Sequence, residues 1–505
     1  MYPQWVEIHH AKGREIKKIG NNYYLYEYKT EYDKEKKGPK KKSGTYIGKI
    51  TENGLVTKKD KDNKPLDISH PLEYGATYLL EVLCADILDN LKKVFPDDAE
   101  ALFSLAKQSL IEPSPLRSKN IIYKNSYDII LHPDLKLSPS SMTRFINKIG
   151  LEREKQVNFM KIYLVGEEYI IFDGTRLVSY SDNMDLARIG YNHCNIEDPQ
   201  INVLYCFSLK PNKAPVYFRA NAGDKSDYDT IINAVNEIGI NNAVIIADKG
   251  FNSEFNLNFL KENNLKYIIP LRRNSKEIDD DFDCSNIAGY DGHFGYHDRI
   301  IFFKVLSKHE VVEKEIEKKK GRGRPPKNKK TEYTVESIEQ DMVVIYYDDT
   351  LRAAEYRDYG RRLLNNYKDY SAEDMAETVK RMGTITICSN EEINPVKLYE
   401  IYKEREIIED SNKSLKNVLN INDSHMQNDD SYNGWLFISH LSLMMYYRLF
   451  NKIKEAGKTS ELSVSELLRM LRRVTKQKVN GNWITETGTK VELDKIRSIF
   501  PEYNT

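Results

Sequence analysis

Two short apolar runs that stop on aspartates, and their place in the chain, restrict the fold more than any other feature. Tyr169 to Phe172 (YIIF) stops at Asp173, and Ala243 to Ala247 (AVIIA) stops at Asp248. Between them the pattern predicts a hairpin, Ile201 to Leu209 and Pro215 to Arg219 around Pro211-Asn212-Lys213, then a helix over Asp227 to Ile238. A second helix over Ser253 to Glu262 and a strand from Tyr267 to Leu271 follow. Three strands linked locally, then helix alternating with strand, is the order of an open mixed α/β sheet. Carboxylates at strand ends of such a sheet converge on one edge, where chemistry is usually placed. Singly, Asp173-Gly174 reads as a hairpin turn and Asp248 as a free carboxylate in a strand-to-helix loop. Together they form a candidate pair.

The rest of the chain divides around this core. Residues 1–65 are a small β-rich region, with strands at Tyr23 to Tyr28 and Thr45 to Ile50 and a basic loop (Lys34 to Lys42) between them. Residues 66–152 have helical spacing, with Leu79, Leu80, Leu83, Ile87, Leu88 and Leu91 on one broad face and a break at Pro96-Asp97-Asp98. Such a helical domain suits DNA contact, another subunit or itself alone. The catalytic segment would span 153–273 and resume at 396–455, interrupted over 274–395 by a β-rich insertion in which helical spacing stops. Its strands are Arg299 to Val305 and Met342 to Tyr347, flanking a basic loop. Residues 456–505 form a C-terminal helical region, with a helix over Ser465 to Arg473 and a hairpin at Gly481-Asn482.

Charge decides little by itself: 76 Lys and Arg balance 76 Asp and Glu. A nucleic-acid reading must therefore rest on local patches, and Lys34 to Lys42 and Lys318 to Lys330 are two. Five scattered cysteines without a C-x-x-C pair indicate neither disulfide framework nor zinc knuckle, and fit a reducing, cytoplasmic setting. Trp435 to Phe450 is apolar but interrupted and too short to span a bilayer, so it reads as a buried helix of a soluble protein. The N-terminus lacks the apolar stretch of a secretory signal. Glycines form no phosphate-binding loop, so ATP is not implied. His9-His10 is not spaced for a shared metal, and His440 reads as a core histidine.

A third carboxylate enters with a helix expected from about Lys397 to Val418. At about 100° per residue, Tyr402, Arg405, Glu409 and Lys416 fall within about 60° of one another, beside a stripe of Ile401, Ile408 and Leu415. A solvated, salt-bridged face is the plain alternative, because Arg405 and Glu409 are an ordinary i, i+4 pair. The spacing Tyr402-x2-Arg405-x3-Glu409-x6-Lys416, with the Asp173-Gly174-Thr175 and Asp248-Lys249-Gly250-Phe251 strand ends before it, resembles the DDE insertion-sequence transposases. The resemblance covers roughly Lys161 to Phe450.

It implies a ribonuclease H-like mixed sheet interrupted by a β-rich insertion, and metal-dependent cleavage and strand transfer at the ends of a mobile element. Asp173, Asp248 and Glu409 would be the catalytic and metal-binding residues, holding two Mg²⁺ ions, with Mn²⁺ able to substitute. Tyr402, Arg405 and Lys416 would hold DNA. The partners implied are double-stranded DNA, as element ends and target, and a second copy of the chain in a homodimer; the setting is a prokaryotic nucleoid. Gly321-Arg322-Gly323-Arg324-Pro325 resembles an AT-hook, which would lay Arg322 and Arg324 in a narrow minor groove; a basic linker is the equal alternative. Two other readings are a catalytically silent DNA-binding relative and a ribonuclease H-like nuclease.

Overall fold

The computed structural model describes residues 2–33, 38–57, 70–179, 181–190, 198–209, 213–225, 227–278, 283–317, 333–365, 367, 370–405, 423–424, 426–487 and 490–503. The chain falls into two compact units, Met1–His70 and Pro71–Thr505.

The first unit is a one-turn helix α1 (Gln4–Glu7) and an antiparallel meander of β1 (Arg14–Ile19), β2 (Asn22–Asp33), β3 (Gly38–Thr51) and β4 (Gly54–Thr57). Alternation gives the sheet two faces. Ile16, Leu25 and Ile50 point to one and close a small core with Val6 of α1, against which Trp5, Tyr23, Ile47 and Leu55 pack. The expected basic loop is a correction: β2 and β3 are paired as far as Asp33 opposite Gly38, so Lys40, Lys41 and Lys42 are strand positions.

The second unit starts with β5 (Leu72–Glu73) and helices α2 (Gly75–Leu83), α3 (Ala85–Val94), α4 (Ala99–Ile111), α5 (Lys119–Asn125), α6 (Asp128–Leu131), α7 (Pro139–Leu151) and α8 (Arg153–Ile162). Ser138 caps α7 by accepting the Ser141 N–H, with Pro139 at the first helical position. The sheet follows: β6 (Tyr169–Ser179), β7 (Gln200–Ser208), β8 (Pro215–Ala222), α9 (Asp227–Ile238), β9 (Val244–Ala247), α10 (Glu254–Glu262) and β10 (Lys266–Pro270). β6, β7 and β8 form an antiparallel meander, β9 runs parallel to β6, and β10 parallel to β9.

The next segment departs from expectation. β11 (Gly292–Tyr296), β12 (Arg299–Ser307), β15 (Met342–Asp348) and β16 (Thr384–Ser389) extend the same sheet, because β16 pairs antiparallel with β10. The strand order is β11-β12-β15-β16-β10-β9-β6-β7-β8. β13 (Glu310–Glu317) and β14 (Tyr333–Gln340) make a separate two-stranded ribbon on either side of the basic run. Helical winding does not stop there either: α11 (Asp349–Leu364) and α12 (Ala372–Val379) stand between β15 and β16. α11 buries Tyr359 alone, so it leaves no apolar stripe to read.

After α13 (Pro395–Lys403) and β17 (Asp423–Ser424), the long α14 (Asp429–Glu455) packs its apolar length on α4, α7 and β8. Gly434 permits a close approach: a Cβ there would lie 2.0 Å from the Ile146 carbonyl oxygen. His440 is buried in this helix, and neither ring nitrogen has a partner among the described residues. Burial, and then the charge of Arg153, push its pKa down to about 3, so the ring is neutral. The chain closes with α15 (Val464–Leu471), the hairpin β18 (Thr475–Val479) and β19 (Asn482–Glu486), and α16 (Lys490–Ile499). Asn480 and Gly481 turn that hairpin with φ of 50° and 86°. No helix among the described residues is long and apolar enough to cross a membrane.

Candidate active site

Strand β6 does not stop at Asp173. It runs on to Ser179, with Asp173 opposite Tyr205 and Gly174 opposite Leu204, so Asp-Gly is not a turn here. Burial changes at that residue instead. Ile170, Ile171 and Phe172 are closed in on both faces of the sheet, whereas Asp173 and Gly174 are half-buried and the strand alternates beyond them.

β9 ends where expected. Its last residue, Ala247, pairs with Phe172, so Asp173 and Asp248 each lie one residue past the same registered pair on adjacent parallel strands. Neighbouring strands are about 4.8 Å apart, which sets the two aspartates side by side. Asp248 leads into a 3₁₀ turn, Lys249–Phe251, with the Phe251 N–H donating to the Asp248 carbonyl at 2.9 Å. Phe251 is buried, and its carbonyl accepts from Asn256 at 3.0 Å. The turn is therefore anchored just past the carboxylate, which has no hydrogen-bond or ion-pair partner among the described residues.

The third element reaches the same edge. Asn394 caps α13 by accepting the Val396 and Lys397 N–H groups, with Pro395 at the first position. The expected continuous helix ends at Lys403, where the Arg405 N–H donates to the Tyr402 carbonyl at 3.1 Å, a tighter closure than α-helical winding. That turn leaves an Arg405 guanidinium nitrogen 4.0 Å from a carboxylate oxygen of Asp173, both side chains 17% exposed. The guanidinium lies 5.7 Å from the ring centre of Tyr402, a residue 8% exposed that forms part of the wall beneath it. Glu404 pairs with Lys213 at 3.1 Å, and Asn451 of α14 donates to the Lys213 carbonyl at 3.2 Å.

Glu409 and Lys416 lie outside the described residues, as do Arg322 and Arg324 of the AT-hook-like run. The segment that holds Glu409 and Lys416 is nevertheless tethered at both ends to one strand. It begins after Arg405, beside Asp173, and ends at Asp423, which pairs in parallel with Val178 of β6.

Several polar residues beside the pair were not singled out by the sequence. Lys249, directly after Asp248, lines a cleft of about 570 Å³ with Arg273, Glu355, Asp358, Arg362 and Tyr370. Arg273 pairs with Glu355 at 2.6 Å, and Arg362 with Asp358 at 2.8 Å and the Tyr370 hydroxyl at 2.7 Å. Most of this cleft comes from α11 and the turn after it, so its assembly depends on helices that the apolar pattern does not announce.

A separate polar cluster lies within the helical layer. Glu81, Asp128 and His132 bring ligand atoms within 4.8 Å of one another. Their centre is already held by an ammonium: fully buried Lys107 bonds Glu81 and, at 2.5 Å, Asp128. Ser104 donates to the second Asp128 oxygen at 2.8 Å. Burial alone would raise the pKa of Glu81, but its hydrogen bond with His132 and the charge of Lys107 override this and hold it at about 2. The geometry is that of a buried ion-pair network.

Comparison with known proteins adds a family. A family model described as transposase DDE domain matches residues 190–445, just over half of the chain. The match takes in Asp248, Tyr402, Arg405, Glu409 and Lys416 and begins after Asp173. No curated protein matches. Among solved structures, a piggyBac transposase in a synaptic complex with hairpin DNA aligns over 80% of this chain and 82% of that chain. Its identity is 8% and its TM-score 0.35, too loose to carry an argument.

Proposed function

The chain belongs to the transposase DDE-domain family, and we propose that it cuts and joins DNA at the ends of its own mobile element, with Asp173, Asp248 and Glu409 as the acidic centre. The observation that carries this reading is the register of β6 with β9, which sets Asp173 beside Asp248. The tether of residues 406–422 to β6 at both ends supports the third member. In sequence Glu409 follows Arg405, whose guanidinium reaches Asp173, by four residues. The strand order β8-β7-β6-β9-β10 supports a ribonuclease H-like assignment for this half of the sheet.

The donor set fits a hard divalent cation. Two carboxylates at one sheet edge, one of them without a partner among the described residues, are the oxygen ligands that Mg²⁺ and Mn²⁺ take. Asp173, Asp248 and Glu409 would hold two such ions. When bound, these supply Lewis acidity to the scissile phosphate and lower the pKa of the attacking hydroxyl.

The chain's own residues do the positioning. Arg405, seated on the Tyr402 ring, offers its guanidinium to a phosphate next to the scissile one, and Lys416 offers a second cation. Lys249, Arg273 and Arg362 line the path of the strand past Asp248. An attack in line requires both sides of the scissile bond to be gripped. The partners are element-end and target duplexes, with two copies of the chain pairing two ends.

A cleavage assay tests this. DNA carrying the sequences that flank the chain's own gene is incubated with purified protein in Mg²⁺ or Mn²⁺. Breaks at the element ends and joined products are expected from the unaltered chain. Asp173→Asn, Asp248→Asn and Glu409→Gln should each lose at least a hundredfold in cleavage and still shift the end DNA. Full cleavage by the Glu409→Gln protein would remove Glu409 from the centre. End binding without breaks under either metal would favour a silent DNA-binding relative.

A further inference from the structure

Two consecutive side chains at the exit of α13 take opposite courses. Glu404 closes the helix, its N–H still donating to the Glu400 carbonyl at 3.1 Å, while the Arg405 N–H makes the tighter bond back to Tyr402. Neighbours in helical winding stand about 100° apart, so the pair reaches different parts of the β6-β7-β8 meander. Arg405 reaches Asp173 of β6, and Glu404 reaches Lys213, which lies between β7 and β8.

Lys213 is itself held in place. Its φ is 41°, a left-handed conformation that a residue with a Cβ keeps only where its surroundings impose it. Two such restraints are on either side of it. Asn451 of α14 donates to the Lys213 carbonyl at 3.2 Å, and the Ser208 N–H donates to the Ala214 carbonyl at 2.9 Å across the base of the hairpin. The ammonium is therefore presented from a fixed backbone, and Glu404 is the carboxylate it meets.

This ion pair does little for the stability of the fold. Its side chains are 37% and 35% exposed, and pairs so open to water contribute little to folding. What it fixes is the direction in which the chain leaves α13, at the residue directly before Arg405. A guanidinium grips phosphate through a planar fork, so its direction decides whether both oxygens are met. A phosphate held askew leaves the neighbouring scissile bond out of line.

We propose that Lys213 and Glu404 form a latch that positions Arg405 for the phosphate beside the scissile one, without touching DNA themselves. The inference rests on the reading of the chain as a DNA transposase in which Arg405 grips a phosphate. It adds two positioning residues outside the Tyr402, Arg405, Glu409 and Lys416 spacing, 191 positions apart in the chain.

The test follows single-turnover cleavage of element-end DNA by the full chain in Mg²⁺ or Mn²⁺, and end-DNA affinity by fluorescence anisotropy without divalent metal. Lys213→Met and Glu404→Gln should each slow cleavage about fivefold and leave affinity within about twofold. The double variant should be no slower than either single one, because the two side chains make one contact. In an Arg405→Gln background neither change should slow cleavage further. Hydrogen exchange of the metal-free chain gives a readout apart from activity: the Arg405 N–H should exchange severalfold faster in either variant. Circular dichroism melting verifies that the variants are folded. Unaltered cleavage in both folded single variants would overturn the latch and leave the transposase reading in place. So would losses that multiply in the double variant, or that persist beside Arg405→Gln. Weaker end binding by Lys213→Met alone would also overturn it, by making Lys213 a DNA ligand. No cleavage by the unaltered chain under either metal would overturn both.

Discussion

Lys107 has no accessible surface, yet it carries an ammonium between two carboxylates. Such a group is tolerated only because each charge is answered; removing one partner leaves the others buried and unpaired. Lys107→Met should therefore cost about 3–5 kcal/mol of stability, read from urea unfolding. A loss below about 1 kcal/mol would mean that the carboxylates take up protons or water instead. The same network sets a pH response. Glu81 binds its proton near the ordinary 4.5 when unfolded but only near 2 when folded. Its contribution is whole above about 4.5 and is lost as pH falls toward 2, so stability should decline over that window. The Glu81→Gln variant should show a flatter profile there. Asp173 and Asp248 differ in kind from Lys107: they sit at a half-exposed sheet edge, one beside an arginine and the other on a turn. Stability should be nearly indifferent to replacing Asp248 by Asn, in contrast to the activity.

At the level of elements, the packing of α14 on α7 depends on glycine. Cβ atoms at Gly434 and Gly150 would meet the backbone carbonyl oxygens of Ile146 and Asp430 at 2.0 and 1.7 Å. Backbone cannot swing aside as a side chain can, so Gly434→Ala must push the helices apart. The expected cost is about 1–3 kcal/mol, visible as a lower melting temperature; an unchanged melting temperature would show that the pair separates freely. Elements that announce themselves locally were legible in the sequence. YIIF and AVIIA are strands, Ser138-Pro139 starts a helix, and the Gly481-Asn482 region is a hairpin. α11 was not legible, because a helix that buries Tyr359 alone has no apolar period. The pairing of β16 with β10 was not legible either. It joins residues more than a hundred positions apart, and an apolar strand does not say which neighbour it will take.

For the whole molecule, two compact units of unequal size imply two unfolding events. The first unit has a core of four buried residues, and small cores yield little stability. Trp5, which packs on that core, is the unit's own reporter. In a Trp435→Phe/Trp483→Phe background its fluorescence should change at lower urea, and with a shallower slope, than the circular dichroism of the chain. Coincident transitions would show that the units unfold together. The candidate site was legible to the extent that it follows apolar runs: YIIF leads to Asp173 and AVIIA to Asp248, although β6 runs on past Asp173 to Ser179. The polar cleft that Lys249 lines was not, since Arg273 and Arg362 share it only once α11 has folded. The uninterrupted sheet from β11 to β8 has a mechanical consequence. It carries Asp173 on β6 and Asp248 directly after β9, with hydrogen-bonded backbone throughout and no joint between them. The two features behave as marks on one ruler. A substrate that meets both must bring its reacting atoms to that spacing, so the adjustment falls to the substrate and not to the sheet.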